Sequence, residues 1–149
     1  MMESHIPALV ALERVCFAEP WSAESLTEEL HNPHARFLVA EAAGETVGYV
    51  GMHHIGDEGF ITNVAVSPAV RRQGVARALL GALEAYGREQ GLYRLTLEVR
   101  VSNAAAIALY EGAGYHCDGV RPGFYRQPME DGAIYSYYFS KREEKRHKS

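Results

Sequence analysis

The chain has 149 residues, 47% of them hydrophobic, which suffices for one domain with a sizeable core and is too little for two ordinary ones. A formal net charge of −4 argues against broad nucleic-acid binding and is compatible with a basic protein or peptide partner. No run of about 18 apolar residues occurs and the N-terminus lacks a charged-then-apolar signal region, so no membrane partner is expected and a cytoplasmic enzyme is the default.

Ile6, Leu9, Val10, Leu12, Val15 and Cys16 recur at helical spacing, which predicts a first helix over His5 to Phe17 with Ser4 as its cap. Pro20-Trp21-Ser22 breaks it. Ser22 and Ser25 then open a short second helix that runs to about His31 and ends at Asn32-Pro33. Arg36 to Glu41 and Thr46 to Ile55 read as strands joined through Ala43-Gly44-Glu45. His53 and His54 are adjacent on a strand and so point to opposite faces, and none of the seven histidines has a ligand spacing; no metal is expected. Cys16 and Cys117 likewise make no metal or redox spacing and are expected to be buried, reduced thiols.

Gly56-Asp57 turns the chain into a strand from Phe60 to Val66, stopped at Pro68. A loop follows, Arg71-Arg72-Gln73-Gly74, and then a helix whose apolar residues Val75, Leu79, Leu80 and Leu83 repeat at helical spacing to an end near Gly91. A helix start offers unpaired N–H groups and partial positive charge, so this loop is a candidate phosphate site, with a well-capped solvated loop as the plain alternative. Tyr93 to Val101 alternates Leu95, Leu97 and Val99 with Thr96, Glu98 and Arg100, placing Glu98 on the face opposite the leucines. Glu98 is a candidate base there; the alternative is a carboxylate paired with Arg94 or Arg100 on a wet face.

Ser102-Asn103 reads as a cap for a helix over Ala104 to Glu111, closed by Gly112 and Gly114. Asn103 and Tyr110, seven apart, lie on one face of it with small Ala106 between. Tyr115 to Val120 and Ala133 to Phe139 read as closing strands, with Arg121-Pro122-Gly123-Phe124-Tyr125 as an aromatic loop between them. Residues 141–149 read as a charged, solvated tail.

Two clusters, Asn63 to Leu80 and Leu97 to Tyr115, together resemble the GNAT family of acetyl-coenzyme A dependent N-acetyltransferases. Pro20-Trp21-Ser22, Asn63 to Val66, the Glu98 segment and Asn103 to Tyr110 bring the resemblance closer to the RimI-type protein N-terminal acetyltransferases, over nearly the whole chain. The resemblance implies an α/β (α+β) GNAT fold over residues 1–140, with a mixed twisted sheet of about six to seven strands flanked by about four helices. GNAT domains usually begin with a strand, whereas only Met1-Met2-Glu3 precede Ser4, so the first strand is expected to be truncated or absent, or the true start lies upstream.

It further implies that Arg71, Arg72, Gln73, Gly74, Val75, Ala76 and Arg77 hold the coenzyme pyrophosphate, and that Val64, Ala65 and Val66 bond the thioester and pantetheine arm through their backbone. Asn103 joins the coenzyme site. Glu98 becomes the general base and Tyr110 the general acid of a direct transfer without an acyl-enzyme, and Trp21 and Tyr125 face the acceptor. The implied acceptor is a protein N-terminus, such as the N-terminal alanine of a small-subunit ribosomal protein. Two features depart from the RimI-type pattern and bear on acceptor preference: Phe124-Tyr125 stands where paired tyrosines are usual, and Glu130-Asp131-Gly132-Ala133 alters the usual order. Lysine or a small amine, with Asp57 and Glu58 as the acidic residues to inspect, and a non-catalytic coenzyme A sensor remain alternatives.

Overall fold

Residues 1–126 and 128–139 are described by the computed structural model, so the expected tail lies outside the described residues. Helix α1 (Ile6–Cys16) is preceded by a 3-10 turn, Glu3–His5. Ser4 sits inside that turn and does not cap the helix; the capping position belongs to His5, whose Nδ1 accepts the Met2 N–H at 2.8 Å. Ser22 does cap α2 (Ala23–Leu30), its hydroxyl accepting the Ser25 N–H at 3.1 Å. No strand precedes α1 among the described residues; the Met1 amine donates to the Phe37 carbonyl at 3.2 Å.

Strands β1 (Ala35–Ala42) and β2 (Glu45–Ile55) pair antiparallel, with Phe37 opposite Gly51 and Val39 opposite Tyr49. Their turn places Ala43 at φ 52° and Gly44 at φ 81°. Gly56-Asp57 leads into β3 (Glu58–Val66), a 3-10 turn at Pro68–Val70, and α3 (Val75–Glu89). Four α-helices and six strands result among the described residues, with strand order β1-β2-β3-β4-β6-β5.

The chain divides into two compact units. The first, Met1–His54 with Ile61–Leu83, packs Ile6, Leu9, Leu12, Leu26, Phe37, Tyr49 and Ala65 into one apolar core. The second comprises Ile55–Phe60 and the chain from Glu84 onward. In it the first residues of β3 pair parallel with β4 (Arg94–Arg100) through Glu58↔Arg94, Gly59↔Leu95 and Phe60↔Thr96, while β6 (Met129–Tyr138) runs antiparallel to both β4 and β5 (His116–Arg126). Helix α4 (Ala104–Gly112) lies between β4 and β5 in sequence.

Two further expectations are corrected. Arg121 to Tyr125 is strand, not loop: β5 continues to Arg126, and the pairing slips between Arg121↔Gly132 and Tyr125↔Glu130. The irregularity absorbs Pro122, which has no N–H to donate, and Gly123 at φ 62°. The cysteines are free but not buried: Cys16 is partly exposed at the end of α1, and Cys117 is exposed on β5, the last strand of the sheet.

Candidate active site

The anion-binding candidate forms within the first unit. Gly74 O accepts the Ala78 N–H at 2.9 Å, so the N–H groups of Val75, Ala76 and Arg77 at the start of α3 have no partner inside the helix. Arg72 at φ 64° and Gly74 at φ 79° both adopt left-handed backbone. For an arginine that conformation costs about 1–2 kcal/mol, and such strain is a pointer to function. A Cβ on Gly74 would meet nothing within 4 Å, so this glycine is required by its backbone angle and not by crowding. Arg71, Arg72, Gln73 and Arg77 are exposed, and the three arginines have no carboxylate partner among the described residues. Free donors, a helix N-terminus and unneutralised cations together fit a pyrophosphate.

Beside this loop, Ala65 is buried and Val64 and Val66 are partly so. The Val66 carbonyl accepts the Cys16 thiol at 3.5 Å, and Arg71 Nη2 lies 3.7 Å from the same sulfur. A Cβ on Gly48 of β2 would sit 3.0 Å from the Ala65 carbonyl and 3.2 Å from Val75 Cγ1, so the glycine admits the start of α3 onto the strands. Trp21 is partly buried, its ring 6.3 Å from that of Phe37.

The candidate base Glu98 and candidate acid Tyr110 both belong to the second unit. Leu95, Leu97 and Val99 are buried and Glu98 occupies the other face of β4, as the alternation requires. One carboxylate oxygen, Oε1, is 3.1 Å from Arg121 Nη2. The other, Oε2, is buried without a hydrogen-bond partner and lies 3.2 Å from the place a Cβ on Gly132 would take. Neither arginine expected as a partner from spacing serves it: Arg94 pairs with Glu58, and Arg100 donates to the Pro128 carbonyl at 2.7 Å and to Glu130 at 3.3 Å.

Tyr125 lies under the Arg100 guanidinium, 4.5 Å from ring centroid to Cζ, and meets Phe124 edge-on at 4.9 Å. Burial, and after it the charge of Glu98, raises its phenol above the usual range. Tyr110 on α4 is 8% exposed, and its hydroxyl has no hydrogen-bond partner among the described residues. Burial and then the proximity of Tyr125 push it up to about 12. The charge of Glu98 thus bears on Tyr125, and Tyr125 in turn on Tyr110. Asn103 caps α4, its Oδ1 accepting the Ala106 N–H at 3.1 Å. The far end of the helix is tied by the Tyr110 carbonyl, which accepts from Ala113 at 3.0 Å and Tyr115 at 2.9 Å.

His53 is bonded to Glu29, and no group of three or more His, Cys, Asp or Glu arranged for a metal exists among the described residues. Glu58, inspected as a small-amine contact, is occupied by Arg94 and by the Tyr93 hydroxyl at 3.3 Å. Sequence reasoning missed Arg121, hidden in a segment read as loop. It also missed Glu13, Tyr49 and Asn63, which form a buried polar group in the first unit. Its one available signal was a glutamate four residues after Leu9 and one after Leu12, on the apolar face of α1.

Residues 6–115 match the Acetyltransferase (GNAT) family. Over 127 residues, spanning 85% of this chain and 84% of the relative, the sequence is 35% identical to the [ribosomal protein bS18]-alanine N-acetyltransferase of Escherichia coli K12. It is 35% identical over 112 residues to the N-alpha-acetyltransferase RimI of Mycobacterium tuberculosis, covering 72% and 69% of the two chains. The crystal structure of the ribosomal-protein-S18-alanine N-acetyltransferase from Escherichia coli superposes with a TM-score of 0.86 at 32% identity, covering 94% of this chain and 91% of that one. The chain belongs to the GNAT family and is an acetyl-coenzyme A dependent N-acetyltransferase.

Proposed function

We propose that this protein acetylates the N-terminal amine of a protein, with the N-terminal alanine of a ribosomal protein as the acceptor that the relatives' activity suggests. In this reading residues 1–140 act as one catalytic domain. The observation that carries it is Glu98, whose Oε2 is buried and free to accept while Oε1 is held by Arg121. Such a carboxylate can take a proton from an incoming amine, directly or through water. An N-terminal amine, with a pKa of about 7.7–8.0, is about one-tenth neutral near pH 7 and needs only about 1 kcal/mol of deprotonation, whereas lysine near 10.4 requires several kcal/mol. The base is therefore suited to the former.

Attack forms the N–C bond and breaks the C–S bond of the thioester; one proton leaves the amine and one reaches sulfur. The helix-start donors and Arg71, Arg72 and Arg77, with Gln73 and Gly74, would hold the pyrophosphate, and backbone N–H groups at Val64 to Val66 would face the thioester oxygen as it gains charge. Asn103 would face the coenzyme arm. Tyr110 is assigned to the departing sulfur. With its phenol near 12 and a thiol near 8.5, complete proton transfer to a thiolate is uphill by about 5 kcal/mol. The effective role is a hydrogen bond to the sulfur as charge develops, with the proton passing fully only as the thiolate departs. Trp21 and Tyr125 would contact the acceptor peptide.

Mass spectrometry of a peptide with a free N-terminal alanine and an internal lysine, incubated with acetyl-coenzyme A, tests the reading. Acetyl on the alanine nitrogen supports it; acetyl on the lysine alone, or none, overturns it.

A further inference from the structure

The most buried carboxylate of the first unit has no part in the chemistry above. Glu13 is 1% exposed, and all of its partners are donors. Oε1 accepts the backbone N–H of Trp21 at 2.8 Å; Oε2 accepts the Tyr49 hydroxyl at 2.5 Å and faces Asn63 Nδ2 at 3.5 Å. Asn63 also donates to the Tyr49 oxygen at 3.1 Å. Removing a carboxylate from water is expensive, and an apolar residue of similar volume is often as stable or more so. Core cohesion therefore does not explain a glutamate here. What the glutamate does that a methionine cannot is tie three chain segments to one point.

Two of those segments carry residues assigned to the reaction. Trp21 belongs to the turn between α1 and α2, given to the acceptor, and Asn63 directly precedes Val64 to Val66, given to the thioester. The Trp21 N–H has no helix or strand partner and is held by Glu13. We propose that Glu13 is a positioning residue that fixes the Pro20-Trp21-Ser22 turn through the Trp21 N–H, so that the turn given to the acceptor is held in a set geometry by one carboxylate. This inference rests on the N-terminal acetyltransferase reading. Within the network the Trp21 arm governs acceptor binding, and the Tyr49 arm contributes to stability alone.

The test is steady-state kinetics with the alanine peptide, with acetyl-coenzyme A affinity and melting temperature measured in parallel. Glu13→Met fills the volume but leaves the Trp21 N–H without an acceptor; the peptide KM should rise about tenfold or more, with kcat and coenzyme affinity little changed. Glu13→Gln should restore most of the peptide KM. Its amide oxygen can still accept from Trp21, and its NH2 can donate to a Tyr49 hydroxyl turned to receive it. Tyr49→Phe should lower the melting temperature and leave the peptide KM near that of the wild type. Should Glu13→Met not fold, Glu13→Asp keeps the charge but shortens the reach, and carries the same prediction for KM. An unchanged peptide KM in Glu13→Met or Glu13→Asp overturns the inference, as does a Tyr49→Phe variant whose KM rises in step. A wild type that acetylates no N-terminus overturns the functional reading itself, and this inference with it.

Discussion

Arg121 holds one oxygen of Glu98 at 3.1 Å and leaves the other buried and unpartnered. The two oxygens of one carboxylate are thus in different circumstances, one neutralised by a side chain that is 56% exposed and one facing inward. Glu98→Gln keeps the shape but cannot take a proton. It should lower kcat about 100-fold or more. The ion pair it breaks is half solvated and worth at most about 1 kcal/mol, so the melting temperature and acetyl-coenzyme A affinity should hardly move. Unchanged acetylation by the variant would remove Glu98 from the role of base.

Tyr110→Phe separates a catalytic phenol from a packing one. Turnover should fall about tenfold or more while coenzyme affinity is spared. The same variant has an alkaline signature. Because burial raises the folded pKa of Tyr110 to about 12, its contribution to stability is complete below its unfolded value of about 10 and is lost as pH rises through 12. The loss amounts to about 3 kcal/mol. Chemical unfolding of wild type and variant across that window should give a shallower fall for Tyr110→Phe, the difference cancelling the other tyrosines. Equal slopes would show that Tyr110 titrates normally.

Much of this was legible because the periodicities are strong. The alternation of Leu95, Leu97 and Val99 located Glu98 on its face, and Ser22 and Asn103 announced their helices by capping chemistry. Pro122-Gly123 are turn residues and make Arg121 to Tyr125 look like loop; a local register slip in the β5–β6 ladder accommodates both, and no residue pattern reports a slip. That error concealed the partner of Glu98. Ser4 looked like a cap, but a 3-10 turn moved the helix start to His5. Glu13 is not legible in the sequence because a buried carboxylate is identified by the donors that reach it, and two of these come from 36 and 50 residues away.

Two glycine-to-alanine substitutions in the first unit should have opposite signs. A Cβ on Gly51 would lie 2.5 Å from Phe37 Cε2 and Cζ, and the Phe37 ring is flanked by Trp21 at 6.3 Å and Tyr49 at 6.0 Å. With little room for the ring to yield, Gly51→Ala should destabilise by about 1–3 kcal/mol. Gly81 is an exposed helical residue whose added Cβ meets nothing within 4 Å, so Gly81→Ala should stabilise by about 0.5–1 kcal/mol. Urea midpoints moving in the same direction would contradict this account of the packing.

The left-handed arginine allows charge and backbone to be separated in the loop proposed to hold the coenzyme. Arg72→Gly removes the guanidinium and relieves about 1–2 kcal/mol of backbone strain, against an entropic penalty for glycine of similar order; stability should stay close to that of the wild type. Arg72→Ala removes the charge and keeps the strain. Gly74→Ala keeps every charge and introduces strain at φ 79°, without a steric clash. If the guanidinium binds pyrophosphate, both Arg72 variants should raise the acetyl-coenzyme A KM about fivefold at low salt, a difference that narrows as salt screens the exposed charge. Gly74→Ala should raise it with little dependence on salt. An Arg72→Gly enzyme with wild-type coenzyme KM at low salt would assign that position to loop conformation alone and leave the pyrophosphate to Arg71, Arg77 and the backbone donors of α3.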